Sequence, residues 1–203
     1  MFFAGNTNKS FYTRLKDIFL LNACFIISCI PIFTIGTAVT AMYSVFFKLD
    51  DDTNVVRAFW KEFKLNFKQS VLVWILLALF GIIVFLDYMV IDLLEMGYIL
   101  LTIVLYIDIF LVVGISTYAF GLIAMFNNST KQLIKNAFLL SISMPIKTLF
   151  MVIITVLPLI LIYLSYDLIP TVIVLWLLFG FAICGEINAR TLKDIFASFP
   201  VDE

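Results

Sequence analysis

The sequence predicts an all-α fold: a polytopic helical transmembrane bundle with four clear spans behind an N-terminal helical hairpin broken by proline and glycine, about six helices in all. Three observations predict it. The 203 residues are 64% hydrophobic and only 13% charged, whereas a soluble domain carries about 25% charged residues to cover its surface. The apolar residues gather into five runs, Ile18–Phe47, Val71–Leu86, Tyr98–Phe126, Leu149–Leu164 and Thr171–Cys184. The charges between these runs are sorted by sign, and that sorting sets the expected sidedness.

A hydrocarbon core of about 30 Å needs roughly 20 helical residues. The second, fourth and fifth runs reach that length once flanking polar and aromatic residues are counted, and the third exceeds it. All 13 basic residues fall in four places. Lys9, Arg14 and Lys16 precede the first run; Lys48, Arg57, Lys61, Lys64 and Lys68 follow it. Lys131, Lys135 and Lys147 lie between the third and fourth runs, and Arg190 and Lys193 follow the fifth. The segment 87–97 holds Asp87, Asp92 and Glu95 without a cation, as does the connection around Asp167. The positive-inside bias then places the basic segments and both termini in the cytoplasm and the acidic ones outside. Tyr88, Tyr98, Tyr163 and Tyr166 flank the outer connections, where an aromatic belt belongs.

The first run has cations at both ends, so the same bias requires an even number of crossings or none. Its 30 residues make about 45 Å of helix, too long for one span and too short for two. Pro31 and Gly36 sit near its middle, and proline breaks a helix. A hairpin of Phe11–Ile30 and Thr34–Phe47 is expected, turning near Pro31–Gly36, either crossing fully or re-entrant. The rival is a single kinked crossing with an external N-terminus. The chain thus divides into a broken hairpin (11–47), a cytoplasmic interfacial helix (53–69), four transmembrane helices (70–186) and a cytoplasmic tail (187–203). The first run lacks a small-x-small cleavage site and is expected to insert as a helix rather than to be removed.

In Val56–Gln69, Val56, Phe59, Trp60, Phe63 and Phe67 recur at helical spacing, and Arg57, Lys61, Lys64 and Lys68 share another face. This pattern predicts an amphipathic helix with aromatics in the acyl boundary and cations at anionic headgroups. The alternative use of Arg57, Trp60, Lys61, Lys64 and Lys68 is docking to a cytoplasmic partner. Lys64-Leu65-Asn66-Phe67 is faintly echoed by Lys135-Asn136-Ala137-Phe138.

Polar groups inside the runs are the remaining candidates. Asp108 lies about ten residues into the third run with no basic residue in any span to pair with it. An ionisable group at such depth usually faces a cavity or another helix. Thr34, Gly36, Thr37, Thr40 and Tyr43 surround the break, where small residues allow close packing and hydroxyls satisfy freed backbone groups. A substrate- or partner-facing turn is the alternative. Asn22 in the first arm, with Glu186 and Asn188 after the fifth run, are further polar candidates for a substrate or partner, a structural role being the leading reading of each.

The chemistry that the sequence excludes is broad. There is no histidine, the commonest general base and metal ligand. Cys24, Cys29 and Cys184 lie singly within apolar runs and read as small buried hydrophobes. No nucleophile elbow, zinc-protease motif or phosphate-cradling glycine loop occurs. A net charge of −1 offers no nucleic-acid footprint. No enzyme activity, metal or cofactor is expected, and the lipid bilayer is the first partner.

Leu20-Leu21-Asn22, Cys29-Ile30-Pro31-Ile32-Phe33-Thr34-Ile35-Gly36, Thr40-Ala41-Met42-Tyr43 and Phe59-Trp60-Lys61-Glu62-Phe63-Lys64-Leu65-Asn66-Phe67-Lys68-Gln69 together resemble the YesL family of bacterial integral membrane proteins, a family of unknown function. The second half is similar only in its layout of basic segment and apolar spans. The resemblance implies four to six helices in a bacterial cell membrane. It also implies an association with carbohydrate use, as an accessory or assembly subunit beside the permease subunits of an ABC-type oligosaccharide importer. It carries over no catalytic residues. The alternative is a stand-alone small-solute transporter or substrate-binding membrane component.

Overall fold

The computed structural model describes residues 11–48, 54–93, 98–164 and 169–198. The calls on Lys9, Glu95, Tyr166, Asp167 and the last five residues of the chain lie outside them. Every regular element among the described residues is helical: α1 (Phe11–Cys29), a 3₁₀ turn (Ile32–Thr34), α2 (Ile35–Phe47), α3 (Val55–Leu93), α4 (Tyr98–Met125), α5 (Thr130–Ser143), α6 (Pro145–Leu164), α7 (Ile169–Leu175), a π-helical stretch (Trp176–Gly180) and α8 (Phe181–Ser198). Four helices are long and apolar enough to cross a membrane: Val55–Ile91, Ile99–Met125, Pro145–Tyr163 and Ile169–Ser198.

Local chemistry explains the boundaries. Asn54 Oδ1 accepts from the Arg57 amide at 3.1 Å and caps α3. No proline or glycine interrupts residues 55–80, so the amphipathic segment and the second apolar run form one 39-residue helix. Pro145 supplies the first residue of α6, a position that needs no amide donor. The basic stretch between the third and fourth runs is itself helical, as α5.

The chain packs densely at one end. α2 is its centre: Gly36, Thr37, Ala38, Thr40, Ala41, Met42, Tyr43, Ser44 and Val45 are all buried, between α1, α3, α4 and α8. Small and hydroxyl-bearing residues let helices approach closely in this way. Around it, Leu21, Phe25 and Phe59 pack on one side, and Tyr118, Leu133, Met151, Leu192 and Ile195 on the other. The opposite ends of the spans are bare. Leu79, Phe80, Ile82, Ile83, Phe85 and Leu86 of α3 are exposed, as are Ile99, Leu100, Ile103 and Ile107 of α4 and Val174, Leu175 and Leu177 of the last span. Apolar surface on that scale is untenable in water, and acyl chains are its solvent. The chain is a multi-pass membrane protein.

Candidate functional site

The broken hairpin is the first candidate region, and most of its polar groups lie within the packing between helices. Thr34 Oγ1 lies 2.6 Å from the carbonyls of both Ser28 and Pro31, to which it donates; the Pro31 carbonyl also accepts the Thr34 amide at 3.0 Å. Gly36 stands where an added Cβ would come within 2.7 Å of Trp74 Cβ and of the Phe120 ring. Thr40 Oγ1 donates to the Gly36 carbonyl at 2.9 Å and accepts from Ser70 Oγ at 3.0 Å. Tyr43 is buried, with its ring 6.4 Å from Phe47 and its hydroxyl beside the Asn188 amide. Thr37 Oγ1 is buried without a hydrogen-bond partner among the described residues.

Asn22 has a particular task. Its Nδ2 donates to the carbonyls of Trp176 at 3.1 Å and Leu177 at 2.8 Å, and its Oδ1 accepts from the Ala182 amide at 2.9 Å. The π-helical stretch 176–180 disturbs the usual four-residue hydrogen bonding, and Asn22 supplies partners to the groups on either side of it.

The hairpin stops short along α3. Lys48 donates to Glu62 at 2.9 Å, Thr40 meets Ser70, and Gly36 abuts Trp74. α2 therefore runs antiparallel along the first half of α3, which continues for about 28 Å beyond Trp74. Ion pairs fasten both arms at their free ends. Glu186 of α8 binds Arg14 of α1 and Arg190, the latter at 2.6 Å, while Lys48 binds the buried Glu62. Phe47 and Phe126 both pack on Phe196 near the end of α8.

The basic face of α3 is arranged differently from the interfacial expectation. Phe59 is fully buried against α1 and α2 rather than lying in acyl chains. The reason is that Val55, Phe59, Glu62, Ser70 and Val73 share the stripe that packs on the hairpin. Trp60 stays at the surface, stacked edge-on with Phe59 and Phe63. Arg57, Lys61, Lys64 and Lys68 are all exposed and make no ion pair among the described residues.

Asp108 lies in a cleft of about 750 Å³ between α3, α4 and α5. Val73, Leu77, Phe80 and Val84 form one wall, Leu111, Val112, Ile115 and Ala119 the floor, and Ile134 and Phe138 the other wall. Asp87 joins Asp108 at one end, and Lys131 and Lys135 stand at the other. The charged ends follow from the register: Gln69 of α3 donates to the Asn128 carbonyl at 2.8 Å and fixes the start of α5 beside the base of the cleft. No group of three or more metal-ligating residues occurs among the described residues.

One device escaped the sequence reading. Pro-Ile-x-Thr occurs twice, as Pro31–Thr34 and Pro145–Thr148. Thr148 Oγ1 reaches the carbonyls of Ser141 at 3.0 Å and Met144 at 2.9 Å, and the Tyr118 hydroxyl at 3.2 Å. Each threonine reaches back to a serine carbonyl before its proline, Ser28 or Ser141, and also to a carbonyl that accepts its own amide, Pro31 or Met144. The repeated tetrapeptide was visible, but nothing in the sequence marked the second copy as a helix break.

The fold and these sites define a class, the multi-pass helical membrane proteins with a short buried hairpin at their centre. A family described as "Protein of unknown function, DUF624" matches residues 18–88, which hold most of the hairpin and most of α3. No curated protein and no solved structure matches the chain.

Proposed function

We propose that this protein is an accessory or assembly subunit of an ABC-type import system for carbohydrates in a bacterial cell membrane, docking through the cationic face of α3. The observation that carries the reading is the row Arg57, Lys61, Lys64 and Lys68, exposed and without an ion pair among the described residues, on a helix whose opposite face is fixed in the core. A row of exposed cations on a helix packed into the core suits an acidic protein surface as well as headgroups. The YesL resemblance of the hairpin and of this helix supports the link to sugar import, and the matched family region covers both.

The same reading takes the hairpin as re-entrant, with both termini cytoplasmic. The positive-inside pattern supports it, as does the gathering of Arg14, Lys48, Glu186 and Arg190 at the basic end of the bundle. The protein performs no chemical step of its own in this account. A stand-alone carrier would draw on Asp108 and Asp87, but a sugar leaves its hydroxyls unsatisfied in so apolar a cleft.

The test is purification from the native membrane in mild detergent. Recovery with permease subunits of a sugar importer, lost on reversing the four cations to glutamate while the chain stays in the membrane fraction, is expected. Recovery of the chain alone, or uptake by the purified protein in vesicles, contradicts the proposal.

A further inference from the structure

We infer that the cleft between α3, α4 and α5 is a binding site for an anionic phospholipid, with the lipid phosphate between Lys131 and Lys135 and one acyl chain along the groove. The site is independent of the docking face on α3, because it lies on the opposite half of that helix and is closed by α5.

Its shape suits a chain rather than a compact solute. On α3 the lining residues Val73, Leu77, Phe80, Val84 and Asp87 follow helical spacing, and 14 residues of rise span about 21 Å. On α4, Ala119, Ile115, Val112, Leu111 and Asp108 form the matching stripe. The groove is thus longer than one leaflet of the hydrocarbon core, about 15 Å. Its volume of about 750 Å³ falls in the range of specific ligand sites, roughly 300–1,000 Å³. Between its charged ends the lining is apolar, so a polar ligand body finds no hydrogen-bond partners there.

Charge fixes the orientation. Lys131 and Lys135 are one helical turn apart on α5 and line the same mouth as Ile134, so their ammonium groups can share one phosphate. Both are exposed and make no ion pair among the described residues. Asp87 and Asp108 at the far end repel an anion, which leaves the lysine mouth as the only end where a phosphate is welcome. A chain of one leaflet's length ends before reaching them. The sequence marks Lys131 and Lys135 for sidedness, and Lys135 also for its faint echo of Lys64; a role at the cleft depends on α5 being a helix that stands against the spans.

The test is mass spectrometry of the protein extracted in mild detergent, then titrated with phosphatidylglycerol or phosphatidylethanolamine. The expected result is one retained anionic lipid per chain and a preference for phosphatidylglycerol. Lys131→Gln with Lys135→Gln should weaken that binding about thirtyfold, the combined worth of two lysines at an anionic headgroup. Val112→Trp, which fills the floor, should abolish retention with the lysines intact. Lys147→Gln, at an exposed lysine outside the groove, should change nothing. Equal binding by the double-glutamine variant, equal retention by Val112→Trp, or displacement by inorganic phosphate alone would overturn the assignment.

Discussion

A single methyl group at Gly36 would place a carbon 2.7 Å from Trp74 Cβ, an atom fixed to the α3 backbone, and equally close to the Phe120 ring. Overpacking of this kind costs about 1–3 kcal/mol. Gly36→Ala should therefore lower the thermal unfolding midpoint in detergent, and an unchanged midpoint would refute the close approach. At Asn22 the loss is of hydrogen bonds, not of space. Asn22→Leu keeps the size but leaves the Ala182 amide and the Trp176 and Leu177 carbonyls without this partner. With about 1–3 kcal/mol for each buried group left unsatisfied, Asn22→Leu should lower the thermal unfolding midpoint in detergent, and an unchanged midpoint would show that these bonds do not hold α1 against the last span. The sequence showed Asn22 as a structural polar group. Its partners stand more than 150 positions away, on a π-helical stretch that no local pattern announces.

Helix by helix, the hydrophobic runs were legible because length and oiliness are local properties. The membrane-facing parts of α3, α4, α6 and the last span all follow them. Three features were not. α3 absorbs the amphipathic segment into one helix, because nothing interrupts it and the packing of Phe59 on the hairpin holds it straight. α5 hides in a basic connection since its buried residues, Leu133, Ala137 and Ser141, are too small and too few to form an apolar run. The third feature is the tie between α2 and α3 through Lys48 and the buried Glu62. Glu62 is 6% exposed, and a buried carboxylate stripped of its cation is costly where a neutral pair is not. Lys48→Met alone should loosen this contact and raise proteolytic cleavage between α2 and α3. Lys48→Met combined with Glu62→Gln should restore protection, and failure of the second change to rescue the first would show that the ion pair does not hold the two helices together.

For the whole molecule, the account rests on a bundle whose basic ends share one face of the membrane and whose hairpin enters from that face and returns. Charge sorting in the sequence points to that sidedness but leaves open whether the hairpin crosses or re-enters, and the register of α2 against α3 was not legible at all. Lys48 at Glu62, Thr40 at Ser70 and Gly36 at Trp74 supply that register. The most direct measurement is labelling of intact cells with a membrane-impermeant maleimide, using single cysteines in a background lacking Cys24, Cys29 and Cys184. Tyr12, Phe33 and Tyr88 are exposed positions at the start of α1, at the break and near the far end of α3. The account predicts that Tyr88→Cys is labelled from outside, Tyr12→Cys only after the membrane is opened, and Phe33→Cys from neither side because it sits among acyl chains. External labelling at Tyr12→Cys would mean that the first run crosses the membrane once, and the re-entrant hairpin would be wrong.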